Sequence, residues 1–311
     1  MTLLRTLTAK VKGETNTDVA LPPENFIKDL VDAADREPIQ QRAGTFTEYV
    51  HVSSLANNFC ARQYAIALKE DLPMYETVSG GMRVVWAQGR ASEDHLRDAF
   101  IQKYGIRNIY ANWGCEFHRD SDPKDKHDFK QRMFKPDKCK CGGELNKFHE
   151  PNLYENNAKV SGRPDLVFRY RNWMHITEIK SIKSEIDSPN KNQHLTFEEL
   201  TEPLQTAQNQ ASFYPDLLKK MEPDFNVSPI VRYVYIAKAF KMGSPYKEFT
   251  VDHSTPKWKT HRNELYEEAK QIKEFIETDK LPPRICPSIG SPLAKKCVVS
   301  ARCFYTYNTD D

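Results

Sequence analysis

Val160-Ser161-Gly162-Arg163-Pro164-Asp165-Leu166-Val167-Phe168-Arg169-Tyr170-Arg171-Asn172-Trp173-Met174-His175-Ile176-Thr177-Glu178-Ile179-Lys180 decides how this chain is read. Val160 to Arg169 and Trp173 to Lys180 read as two adjacent strands joined by a tight turn at Arg171-Asn172. Side chains of a strand point to alternate faces. Glu178 and Lys180 therefore share one face and Ile179 takes the other. Asp165, on the paired strand, is expected opposite them. Mg²⁺ and Mn²⁺ favour oxygen ligands. Asp165, Glu178 and the Ile179 carbonyl are the candidate donors, and Lys180 is placed to orient a water or to stabilise developing negative charge. The bland alternative is a cross-strand salt bridge on a solvated face.

The flanking chain suits one large domain. It has 311 residues and a formal net charge of +2, so any nucleic-acid site is a local groove rather than a uniformly basic surface. No apolar run approaches the roughly 20 residues that cross a bilayer. The N-terminus lacks the pattern of a secretory signal, which predicts a cytoplasmic protein without membrane association. In such a compartment the seven cysteines are expected to bind metal or lie buried rather than pair as disulfides. Residues 1–45 read as a flexible arm and 46–311 as the main domain.

Within that domain a helix is expected over Val52–Leu68, capped by Ser53 or Ser54 and containing Cys60. A longer one covers 82–103, where Trp86, Gly89, Glu93, Leu96 and Phe100 trace one face. Residues 114–150 break every period and read as an insertion outside the core. Residues 184–200 are a polar loop, Pro203–Phe213 a helix that Pro215 ends or kinks at Tyr214, Ile230–Ala239 a third strand, and Glu264–Glu277 a charged amphipathic helix. The tail 281–311 is proline-rich, irregular and cysteine-bearing.

In the insertion, Lys138-Cys139-Lys140-Cys141-Gly142-Gly143 looks like a zinc knuckle, with glycines that permit a tight turn. Cys115 and His118 are the expected opposite pair, giving a Cys₃His zinc site in which His127 or His149 can replace His118.

Gly162-Arg163-Pro164-Asp165 followed by Glu178-Ile179-Lys180 resembles the core of the PD-(D/E)xK nucleases, and its ordered surroundings resemble the RecB-like branch. Gln210-Ala211-Ser212-Phe213-Tyr214 stands where that branch carries its Gln-x-x-x-Tyr motif. The resemblance implies roles for Gln210 and Tyr214 in contacting DNA or buttressing the lysine. The branch also carries an upstream helix with a Gly-x-x-x-His or an acidic equivalent. Glu93 fits by its spacing from Gly89 and by helical phase; His95, roughly 200° around the helix, is the runner-up ligand. Lys238 is the expected contact to the phosphate backbone.

Cys60 with Cys286, Cys297 and Cys303 resembles the iron–sulfur staple of AddB-type and Cas-four-type relatives, in which four thiolates hold a [4Fe–4S] cluster. The final C-x5-C agrees with that pattern, whereas the C-x10-C replaces the usual C-x2-C. Zinc suits four thiolates as well.

The resemblance implies a restriction-endonuclease-like α/β fold, a central mixed sheet flanked by helices, with a small Cys/His insertion. It also implies a divalent-metal-dependent DNA nuclease, an exonuclease acting on ends or single strands in replication, recombination or repair, including phage or CRISPR-type settings. A helicase or recombination partner would supply unwinding, because the chain carries no G-x-x-x-x-G-K-[ST]. The reading from a different class is a non-catalytic nucleic-acid-binding protein that retains the fold.

Overall fold

The computed structural model describes residues 39–57, 59–78, 80–115, 130–132, 138–139, 141–182, 197–237 and 246–307. In chain order its elements are β1 (Ile39–Thr45), β2 (Val50–His51), α1 (Val52–Leu55), α2 (Ala61–Lys69), β3 (Pro73–Val78) and α3 (Gly80–Tyr104). There follow β4 (Ile109–Cys115), β5 (Lys130–Arg132), β6 (Leu145–His149), β7 (Leu153–Glu155), β8 (Val160–Gly162), β9 (Leu166–Tyr170) and β10 (Trp173–Ile182). The last are α4 (Gln205–Ala211), α5 (Tyr214–Met221), β11 (Asn226–Ala237), β12 (Tyr246–Asp252), α6 (Pro256–Thr278) and α7 (Pro292–Lys296), then a single π-helical turn at Arg302–Thr306.

The main sheet runs β12-β11-β10-β9-β4-β5, with β6 also paired to β4. It is mixed: β10 and β11 are parallel, and the other ladders are antiparallel. Helices flank it. On one side α3 lies against β9 and β10, where Phe100, Ile101 and Tyr104 cover Leu166 and Phe168. On the other, α1, α2, α4, α5 and α6 enclose a larger core that includes Val52, Tyr64, Phe213, Tyr214, Leu217 and Ile272. A second small sheet, β2-β8-β7, closes the edge of this core.

The β9–β10 hairpin forms around Arg171-Asn172 as expected, with Arg171 at φ 55° supplying the left-handed turn residue. Val160–Gly162 does not belong to it. That segment is β8, which pairs with β2 and β7, so the chain changes sheets at Arg163-Pro164-Asp165. The switch puts Asp165 at the mouth of the main sheet rather than inside a strand.

The single helix expected over Val52–Leu68 is two. His51 caps α1, accepting from the Ser53 amide, in place of Ser53 or Ser54. Cys60 is not inside a helix but caps α2, its sulfur accepting from the Gln63 amide at 3.4 Å. Residues 114–150 are not wholly outside the core, because β5 and β6 pair with β4 and widen the main sheet. β4 is buried along its whole length, and such a strand shows no alternation. β11 begins four residues before the expected Ile230, and it bulges at Pro229, which has no amide hydrogen to give the ladder. Pro215 acts earlier than expected: α4 stops at Ala211, and Tyr214 opens α5 with Pro215 in its first turn. The tail contains the short helix α7, capped by Ser291. Of the arm 1–45, residues 39–45 pair as β1 with β3, and residues 1–38 lie outside the described residues, as does most of the 184–200 loop. No helix of the described residues is long and apolar enough to cross a membrane.

Gly162 is required by packing. A Cβ there would stand 2.9 Å from Tyr214 Cε1 and 3.1 Å from Val52 Cγ2, both in the main core. Gly162→Ala should therefore destabilise the chain by roughly 1–3 kcal/mol, read as a lower urea midpoint at unchanged slope.

Candidate functional site

Asp165 sits one residue before β9, just past the Leu166↔Thr177 pair and so opposite Glu178. Its Oδ2 accepts a hydrogen bond from the Ile179 amide at 2.6 Å, which ties the turn carrying Asp165 to the end of β10. Glu178 is completely buried, and its Oε1 lies 2.5 Å from Lys180 Nζ. Lys180 is its ion-pair partner, and Glu178 Oε2 has no hydrogen-bond partner. A buried carboxylate in this condition is costly. Burial first, then the charge of Asp165, raises the Glu178 pKa, and Lys180 opposes the rise. For Lys180, burial alone would favour the neutral amine, but Glu178 and Asp165 outweigh it and hold the ammonium well above its ordinary range.

Helix α3 brings Glu93 to the same place. Burial raises its pKa, and so does Asp165, while Lys180 and Arg97 pull it down. His95 is exposed, as the helical phase predicts. Helix and sheet approach closely at Gly89, where a Cβ would be 2.8 Å from Ser181 Oγ on β10 and would make that hydroxyl turn away.

A fourth acid, Glu150, was missed by sequence reasoning. β6 ends at His149, and the Glu150 carbonyl accepts from Asn112 Nδ2 of β4 at 3.0 Å. Glu150 faces a cleft of about 560 Å³ lined by Arg97, Phe148, Asn152 and Arg163. Its Oε1 is 3.8 Å from Arg97 Nη2, and the Arg97 guanidinium lies over the Phe148 ring at 4.5 Å. Burial and Asp165 push the Glu150 pKa up to about 7, against the pull of Arg97 and Arg163. The carboxyl thus binds its proton more tightly folded than unfolded. Its contribution is most favourable below pH ~4.5 and is lost as pH rises towards 7. In metal-free buffer, urea denaturation should show the wild type losing stability relative to Glu150→Gln across that window.

Gln210 and Tyr214 meet despite the helix break. Gln210 Nε2 donates to the Tyr214 hydroxyl at 2.6 Å, and that hydroxyl donates to the Arg163 carbonyl at 3.0 Å. Tyr214 is fully buried, so it offers no surface to DNA. It props the turn that carries Asp165 rather than touching Lys180. Lys238, His118 and His127 lie outside the described residues.

The cysteines form two separate groups, all seven of them thiols. Cys60, Cys286, Cys297 and Cys303 line one apolar cavity between α2 and the tail. Burial raises the thiol pKa of Cys60 and of Cys297, and the neighbouring cysteines add to the rise in both. Polar contacts draw the same segments together. Arg62 donates to the carbonyls of Pro282 and Tyr307, and Arg284 to that of Cys303. Arg302 pairs with Glu70, and Lys69 with Asp279 at 2.6 Å.

The second group is tighter. The sulfurs of Cys115, Cys139 and Cys141 all lie within 4.8 Å of one another, a set that can hold a metal ion. Among the described residues no other three candidate ligands meet that limit, so the four-cysteine set and the acids around Asp165 are both more open. His149 is not in the group; it lines the Glu150 cleft at the far end of β6.

No family model matches the chain, and neither does any curated protein. A solved structure titled "Crystal structure of SSO0001" is 14% identical over 89% of this chain and 96% of that one, at a TM-score of 0.35. Likeness at that level carries no argument about fold or site.

Proposed function

We propose that the chain is a divalent-metal-dependent DNA nuclease built on a PD-(D/E)xK core. The observation that carries this reading is the buried Glu178 carboxylate, with an unpartnered oxygen, beside Lys180, Asp165 and Glu93. Neutral packing does not account for three acids and a lysine at the open end of a sheet. A bound cation would offset the burial, and after it the Asp165 charge, that raise the Glu93 and Glu178 pKa values, and it would give the lone oxygen a partner.

Asp165, Glu178 and Glu93 would hold Mg²⁺ or Mn²⁺, joined by the Ile179 carbonyl. The ion would acidify a water and neutralise phosphoryl oxygens. The protein's own part is placement. The Ile179 amide fixes Asp165, the Gln210–Tyr214 pair fixes the turn before it, and Lys180 keeps a positive charge at the cleft. Arg97 and Arg163, lining the cleft beside Glu150, suit a phosphate backbone. Exonuclease action on DNA ends or single strands follows from the resemblance to RecB-like enzymes, as does a helicase or recombination partner.

Cys60, Cys286, Cys297 and Cys303 would hold a [4Fe–4S] cluster that staples α2 to the tail. Four soft donors around one cavity, spaced more widely than the sulfurs of Cys115, Cys139 and Cys141, support a cluster over a single zinc ion.

The test is degradation of end-labelled single- and double-stranded DNA in Mg²⁺ or Mn²⁺. Wild type should degrade DNA, chelator should stop it, and Asp165→Ala and Lys180→Ala should each be inactive. Equal behaviour of wild type and both variants would refute the reading and leave a DNA-binding protein without chemistry.

A further inference from the structure

We propose that Cys115, Cys139 and Cys141 bind one zinc-class ion, and that this ion locks β6, and with it Glu150, onto β4. The proposal stands apart from the nuclease reading, because it concerns a different residue set and a different metal.

Three observations converge on it. First, the sulfurs come from separate parts of the chain and still meet. Cys115 ends β4, and Cys139 and Cys141 lie on the loop before β6. Cys115 Sγ and Cys141 Sγ are 3.5 Å apart. Thiolates bound tetrahedrally at Zn–S ~2.3 Å stand about 3.8 Å from one another, so little movement is needed. A disulfide would need a further approach to about 2.05 Å.

Second, the loop is built as a knuckle. The Cys139 amide donates to the Gly143 carbonyl at 2.8 Å, and the Gly142 amide donates back to the Cys139 carbonyl at 2.9 Å. Gly142 takes φ 88°, a left-handed value that disfavours side chains. This closed loop presents Cys139 and Cys141 towards Cys115.

Third, the position has a consequence. The ladder between β4 and β6 starts at Cys115↔Leu145 and shifts register between Gly114 and Cys115. It continues through Trp113↔Phe148 to Asn112↔His149, and Glu150 follows. β6 has five residues, and the register shift falls at its first rung. An ion at the first rung would fix it. Cys141 is exposed, so the fourth coordination position is open to solvent or to another side chain. Each thiol loses its proton to solvent as the ion binds.

The experiment uses the full chain, reduced and freed of metal. Titration with Co²⁺ should give the charge-transfer absorption of a thiolate-bound tetrahedral ion, one equivalent of it at Cys115, Cys139 and Cys141. One equivalent of the band should vanish in Cys139→Ser and in Cys141→Ser, both of which leave Cys60, Cys286, Cys297 and Cys303 in place. Alkylation of the wild type, mapped by mass spectrometry, covers the case in which a variant fails to fold. Stoichiometric Zn²⁺ should slow modification of Cys115, Cys139 and Cys141 at least tenfold. Hydrogen exchange at 145–150 should slow on Zn²⁺ addition. Absence of the band and of protection would overturn the metal site. Zn²⁺ protection without slower exchange at 145–150 would overturn its role in holding β6.

Discussion

Glu178→Gln should abolish metal-dependent DNA cleavage, lowering the rate by ~10²–10³-fold or more, because it removes a fixed charge from the centre of the site. The substitution keeps volume and shape in a fully buried position, so loss of fold does not explain the loss of rate. It should also erase a second property. In the wild type, Mn²⁺ at a hundredfold excess over its dissociation constant adds about 2.7 kcal/mol to stability, read as a rise in melting temperature. The variant should show almost no Mn²⁺-induced rise. If Glu178 instead serves as half of a structural salt bridge with Lys180, the variant would melt earlier and keep its Mn²⁺ response.

The second large effect concerns the tail. Cys297→Ser should yield colourless protein without the iron and sulfide of the proposed cluster, and should greatly reduce thermal stability. Cys297 caps α7, and Cys303 packs with Ile66, Ala67 and Val299 in a small core of its own. That core is thin, and the ion pair beside it, Lys69–Asp279, is exposed and worth little. A metal centre whose binding is coupled to folding would then supply a large share of the ~5–15 kcal/mol by which domains of this kind are stable. The check is iron and sulfide content after anaerobic purification, together with a thermal melt of each form. Colourless wild type with zinc in place of iron would keep the staple and change the metal.

Much of the site is legible in the sequence because it is local. Asp165 and Glu178 lie on one hairpin, where a period of two fixes which residues share a face. Glu93 is set by helical phase, and Gly89, one turn before it, marks the close approach of helix to sheet. Gln210 and Tyr214 meet across a break that hydrophobic periodicity does not reveal, since α4 and α5 are short and the turn between them keeps the four-residue offset.

Glu150 is the main omission. It reaches the site through pairing between β4 and β6, strands more than 30 residues apart in sequence at the Asn112↔His149 rung. β6 itself, Leu145-Asn146-Lys147-Phe148-His149, is short and mixed in character. One signal was available: Ile109-Tyr110-Ala111-Asn112-Trp113 is a short apolar run after a turn, the mark of a buried strand. Such a strand needs neighbours on both edges, and the cysteine-rich segment supplies them.

The central claim is that the acids around buried Glu178 form a cation site. Electron paramagnetic resonance of Mn²⁺ titrated into wild type and Asp165→Ala tests it most directly. Mn²⁺ should bind the wild type saturably and be displaced by Mg²⁺, and this binding should be lost in Asp165→Ala. Binding of equal strength in both proteins, or none in the wild type, would contradict it.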